Sequence, residues 1–140
     1  MTENYKILGK YIQDMSSETR DIETYLFVRE RIAKYQLGID ITSKALKDKL
    51  IEINTTLKFE DKEESKKKSH FEIIFSTIVK VNENIKDKKE LEKIILCDVQ
   101  NDIYPDLEKS LLNLLHNSGY PEIKFEKKID FENLYNQKFN

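Results

Sequence analysis

The apolar residues of this 140-residue chain change their spacing once, near Asp87, and that change restricts the architectures open to it. Before Asp87 they recur at every second position, as in Leu37, Ile39 and Ile41, then Ile51, Ile53, Thr55, Leu57 and Phe59, then Phe71, Ile73, Phe75, Thr77, Val79 and Val81. Alternation puts one set of side chains on one face of an extended strand, which suits a sheet with one covered face. After Asp87 the period lengthens: Leu91, Ile94, Ile95 and Val99 share one side of a helix, and so do Leu107, Leu111, Leu114 and Leu115. Strands first and helices last imply an α+β fold, a four-stranded antiparallel sheet followed by two C-terminal helices. The length suits a single domain, 1–140.

Local signals divide the chain further. Tyr5–Gln13 reads as the first strand, apolar on both faces, and Asp14–Arg20, richer in serine, as its exit turn. Asp21–Tyr35 shows neither period clearly and reads as a crossover containing one extended run. Residues 43–50 read as a loop with a short helical turn. The charged stretch Glu60–Ser69 reads as the turn that makes its flanking strands antiparallel neighbours. Tyr104-Pro105 is expected to break the first helical stretch and open the second, Asp106–Asn117, since proline costs little at a helix start. Asp106 and Glu108 in its first turn and His116 in its last suit the helix dipole. Gly119 supplies the left-handed stop. Asp130 can cap a short last helix at Ile129–Tyr135.

Composition excludes several functions. With 24 basic and 26 acidic residues the formal charge is only −2, and no basic stripe stands out. Lys66-Lys67-Lys68 directly follows the acidic run Glu60–Glu64 and reads as a solvated turn, so nucleic acid is not an expected partner. No run of about 18 apolar residues exists, so membrane insertion is not expected. The first residues, Met1 to Lys6, lack a basic region followed by an apolar run, so no secretory signal is expected there. Cys97 stands alone, which rules out an internal disulfide and agrees with a reducing, cytoplasmic setting. It reads as a small buried hydrophobe. His70 and His116 lack metal-ligand spacing. With three glycines and no nucleophile or phosphate-loop motif, neither an enzyme nor a cofactor is expected.

What remains is apolar surface. Tyr25, Leu26, Phe27 and Val28 are consecutive, and consecutive residues of an extended chain cannot all face one core. Tyr120, Phe125, Phe131, Leu134, Tyr135 and Phe139 add to them. These residues either close the core or a subunit contact, or leave an apolar groove.

The order of the C-terminal pieces resembles the SecB family of protein-export chaperones. That family shows an aromatic-Pro pair, a helix, glycine, aromatic-Pro-x-aliphatic-x-apolar, and aliphatic-Asn/Asp-Phe-x-x-Leu-aromatic. Here these fall at Tyr104-Pro105, Gly119, Tyr120-Pro121-Glu122-Ile123-Lys124-Phe125 and Ile129-Asp130-Phe131-Glu132-Asn133-Leu134-Tyr135, with the prolines 16 residues apart. Asp14-Met15-Ser16-Ser17-Glu18 is similar to the family's Asp-x-Ser-aromatic-Glu, with Ser17 in place of the aromatic. Glu72, ahead of Thr77-Ile78-Val79, matches the family's fourth-strand glutamate without its glycine. The resemblance implies an ATP-independent holdase that binds unfolded precursor polypeptides and passes them to SecA. It implies a homo-oligomer, a dimer of dimers. Tyr25, Leu26, Phe27, Val28, Tyr120, Ile123 and Phe125 would form the client groove, flanked by Leu134 and Tyr135. Asp14, Glu18 and Glu72 would contact SecA. Some SecB-like proteins guard a toxin–antitoxin antitoxin instead, and that role stays open.

Overall fold

The alternating stretches form four strands, β1 (Tyr5–Glu18), β2 (Gln36–Ala45), β3 (Leu50–Glu60) and β4 (His70–Val81). The computed structural model describes residues 4–63, 67–126 and 128–139. Glu64 and Lys66 of the charged turn lie outside the described residues, as do residues 1–3, and so does the side chain of Phe139. The sheet is antiparallel throughout, in the order β1-β4-β3-β2. Phe71, Ile73, Phe75 and Val79 of β4 and Ile53, Leu57 and Phe59 of β3 are buried on one face. Glu72 and Lys58 lie on the other, which no helix covers among the described residues.

β1 runs five residues beyond the expected Gln13, through the stretch read as an exit turn. Its register against β4 shifts between Ile7 and Gly9 and again between Ile12 and Asp14. Each bulge adds one unpaired residue and reverses the alternation, which hides a strand from a simple period count. The strand then continues to Glu18, opposite His70.

Because β1 and β2 occupy opposite edges, the chain between them must cross the whole sheet. It does so mainly as a helix, α1 (Ile22–Arg31), not in the extended form expected of Tyr25–Val28. The Asp21 carboxylate accepts the Thr24 N–H at 2.8 Å, Glu23 sits in the first turn, and Arg29 and Arg31 sit in the last. These end signals outweigh the aromatic and β-branched run in the middle.

The C-terminal helices are α2 (Lys88–Lys93), α3 (Val99–Asn117) and α4 (Phe131–Phe139). A π-helical turn, Ile94–Asp98, joins α2 to α3, and the residues at both junctions keep right-handed helical backbone angles. Pro105 lies inside α3 and opens nothing. Interior proline costs about 3 kcal/mol. Val99, Ile103, Leu107, Leu111 and Leu115, four residues apart, are all fully buried, and each such burial contributes about 1.5–3 kcal/mol. The buried stripe wins. Pro105 and Asn101, whose carbonyl loses its partner, both face solvent.

α3 lies along β1. Tyr5 reaches the Asp98 carbonyl at 3.1 Å and the Asp102 carboxylate, Lys10 meets Asp106 at 2.8 Å, and Ser17 meets Ser118 at 2.6 Å. At the far end Gly119 takes φ +107°, and the N–H groups of Gly119 and Tyr120 return to the carbonyls of His116 and Leu115. This is a Schellman stop with glycine at its left-handed position, as expected. Asp87 and Asp130 cap α2 and α4 through Lys89 and Asn133 N–H.

Candidate functional site

Four consecutive helical residues span most of a turn, so Tyr25–Val28 cannot all face inward on α1 either. Val28 is 1% exposed and anchors the helix, while Leu26 and Phe27 are 47% and 38% exposed. Tyr25 is half-buried, and its hydroxyl donates to the Gly119 carbonyl at 2.9 Å. Its ring stands 5.5 Å from that of Tyr120. A β carbon on Gly119 would lie 2.5 Å from Tyr25 Cε1, so the tight stop of α3 is also what seats α1. Tyr120 is buried with its ring edge-on to Phe71 at 5.8 Å, and Phe125 meets Phe59 edge-on at 5.6 Å.

Between α1 and the segment after α3 lies a cleft of about 440 Å³, lined by Tyr25, Arg29, Ile32, Gly119, Tyr120, Pro121, Glu122 and Ile123. His116 Nε2 lies 3.0 Å from the Ile123 carbonyl and ties this wall to the end of α3. A second cleft, about 350 Å³, lies between β2 and α4, lined by Ile39, Asp40, Ile41, Leu96, Phe131, Leu134, Tyr135 and Gln137. Leu134 is 45% exposed at its edge, and Tyr135 donates to the Lys89 carbonyl at 3.3 Å. Of the residues expected in one groove, Tyr25, Tyr120 and Ile123 line the first cleft and Leu134 and Tyr135 the second, whereas Leu26, Phe27, Val28 and Phe125 line neither. Val28 and Tyr120 support the walls and are not open to solvent. Ile39 and Ile41 read in the sequence as ordinary strand positions, and Leu96 falls outside the helical stripe of Leu91, Ile94, Ile95 and Val99.

The pair Arg31–Asp61 fixes the end of α1 to the chain leaving β3. Arg31 Nε meets Asp61 at 2.7 Å, and a second arm reaches Glu63 at 3.0 Å. The hydrogen bond from Arg31 is the main cause that holds the Asp61 carboxyl at about 2. Burial pushes the Tyr120 and Tyr35 hydroxyls and the Cys97 thiol up, so none is poised to ionise. Among the described residues no group of three or more His, Cys, Asp or Glu could hold a metal. The β2–α4 cleft offers mainly apolar walls suited to holding side chains, whereas the cleft beside α1 mixes Ile32 and Ile123 with Arg29 and Glu122.

Asp14, Glu18 and Glu72 do come together. β1 pairs Ser16 with Glu72, and Asp14 and Glu18 are its neighbours two positions to either side, on the sheet face opposite the core. Glu72 also pairs with Lys58 at 3.5 Å. The extension of β1 past Gln13 makes this possible, since a turn there would have scattered them. Along the same strand Leu8, Tyr11, Ile12 and Met15 are each 41–50% exposed, an apolar edge larger than the sequence suggested.

The family profile described as Preprotein translocase subunit SecB matches residues 1–140. The chain belongs to the SecB family. It is 65% identical, over the full length of both chains, to a protein of Pelagibacter ubique (strain HTCC1062) named "Putative protein-export protein SecB". Its fold matches the Mycobacterium tuberculosis Rv1957 SecB-like chaperone, solved in complex with a ChAD peptide from the Rv1956 HigA1 antitoxin. That match has a TM-score of 0.63 and 12% identity, over 89% of this chain and 91% of the other. The SecB fold accounts for the four-stranded sheet with C-terminal helices. No helix among the described residues is long and apolar enough to cross a membrane.

Proposed function

We propose that this SecB-family chain is a holding chaperone that binds unfolded preproteins without nucleotide or cofactor and delivers them to SecA in the cytoplasm. The observation that carries the reading is the mainly apolar cleft between β2 and α4, with exposed Leu134 at its edge, together with the mixed cleft beside α1, the helix that leaves Leu26 and Phe27 exposed. A client must be held whatever its sequence, and apolar walls with few fixed polar groups accept many side chains. Each large apolar side chain buried there contributes about 1.5–3 kcal/mol, so several weak contacts hold a chain and still let it go. Tyr25, Leu26, Phe27, Ile123, Phe125, Leu134 and Tyr135 would meet the client, with Val28 and Tyr120 as their support.

Assembly follows from β1. An edge strand carrying Leu8, Tyr11, Ile12 and Met15 half exposed favours pairing with a second copy, and a dimer of dimers would multiply the clefts. Asp14, Glu18 and Glu72 on the bare sheet face would contact SecA. A chaperone devoted to one partner, such as an antitoxin, is the alternative. The full-length 65% identity to a protein named for export favours the first reading over a likeness at 12%.

The test pairs two sets of variants. Leu26→Ser with Leu134→Ser should abolish suppression of aggregation of a chemically unfolded client while leaving SecA binding intact. Asp14→Asn with Glu18→Gln and Glu72→Gln should do the reverse. If both sets damage both activities equally, the site assignment fails. If wild type holds no unfolded client at all, the chaperone reading fails.

A further inference from the structure

A cation stands among the carboxylates of the bare face. Lys58 of β3 lies directly across from Glu72 of β4 and pairs with it at 3.5 Å. Of the two side chains Lys58 is the outer, 52% exposed against 18% for Glu72. An approaching cation therefore meets the ammonium before the carboxylate. The pair has no net charge, so the attraction that Glu72 would exert is cancelled while Lys58 stays on it. Asp14 and Glu18, by contrast, are exposed. Beside the pair, reaching to β2, lies a depression of about 440 Å³ with Asp40 and Glu60 in its walls. β2 places Gly38 across from Lys58 on its other side, where it adds no side chain. The backbone there does not demand glycine, because a β carbon would meet only the Lys58 carbonyl, at 3.9 Å. What Gly38 provides is room.

We infer that Lys58 limits how tightly the acidic face takes a cationic partner: in the free chain its ammonium neutralises Glu72, and docking requires it to swing over Gly38 toward Asp40 and Glu60. This rests on the reading of Asp14, Glu18 and Glu72 as the SecA contact, and adds to it the residue that sets its strength. Lysine suits such a move. Its charge is compact, its stem is flexible, and it lacks the two-pronged grip by which arginine holds a carboxylate. An ion pair this exposed is weakly held, so a partner's cation can replace it. Asp40 and Glu60 give the displaced ammonium carboxylates to face, so the swing leaves no charge stranded. Lys58 is a positioning residue here, acting through the state of Glu72.

The test titrates purified SecA into the full-length protein by calorimetry at about 0.1 M salt. Lys58→Gln should bind about three-fold tighter, and Lys58→Arg should not tighten. Lys80→Gln removes the same charge roughly 27 Å along the same face of β4, beyond the screening length of about 10 Å, and should change little. Glu72→Gln should cost about three-fold more in the Lys58→Gln background than in wild type. Gly38→Thr, which fills the room, should weaken wild type about three-fold and leave Lys58→Gln unaffected. Unchanged affinity of Lys58→Gln, an equal gain from Lys80→Gln, or an equal Glu72→Gln penalty in both backgrounds overturns the role of Lys58. An equal Gly38→Thr penalty in both backgrounds overturns the swing. If SecA binds neither wild type nor Lys58→Gln, the SecA contact itself fails and this inference with it.

Discussion

Gly119 shows how much one residue can decide. Its φ of +107° suits glycine, and the Tyr25 ring occupies the space a side chain would need. Gly119→Ala should therefore lower stability by at least about 2 kcal/mol, read from the urea midpoint, because left-handed strain and overpacking act together. It should also loosen α1 and weaken client holding. Asp61 decides acid stability. Arg31 lowers its carboxyl to about 2 from an ordinary 3.8, so its contribution is present above 3.8 and is lost as pH falls toward 2. Asp61→Asn should melt below wild type at pH 7, and the gap should close between pH 3.8 and about 2 in parallel melting curves. A gap that persists at pH 2 would mean that Asp61 matters through shape and not charge. Residues of the first kind were legible: Gly119 and Asp130 act on their own neighbours in the chain. The Arg31–Asp61 pair spans 30 positions, and no local pattern announces it.

Among the elements, strands β2, β3 and β4 were readable because one face is buried and alternation survives without interruption. β1 was half readable, because its bulges reverse the alternation. α1 was misread because Tyr25–Val28 favours extended structure locally, although Asp21, Glu23, Arg29 and Arg31 already marked its two ends. Pro105 misled in the opposite sense, since a rule about isolated helices ignores the buried stripe of α3. The π-turn between α2 and α3 has its own support. Gln100, fully buried, donates to the Ile95 carbonyl at 3.1 Å and accepts from the Thr55 hydroxyl at 2.9 Å. Gln100→Leu should cost about 2–4 kcal/mol in chemical denaturation, as both partners are left unpaired in the core. Adding Thr55→Val should recover part of the loss, and if it recovers none the pair is not coupled.

For the whole molecule the open question is what covers the apolar edge of β1. If it seats a second copy, wild type should scatter light near four times its 16.7 kDa, and Tyr11→Lys with Met15→Lys should reduce that mass while far-UV circular dichroism stays unchanged. A wild type that is monomeric at micromolar concentration would sink the assembly proposal. The sequence by itself determined the class of fold, three of the four strands, the Asp130 cap and the Gly119 stop, and the family resemblance. All of these depend on neighbours within a few positions or on the order of short motifs. Only the tertiary structure decided that Asp14, Glu18 and Glu72 share one bare face, that the aromatic run sits on a helix seated by Gly119, and that the apolar residues part around two clefts. Those facts depend on register, bulges and packing between distant segments, and a linear pattern carries no record of which segments meet.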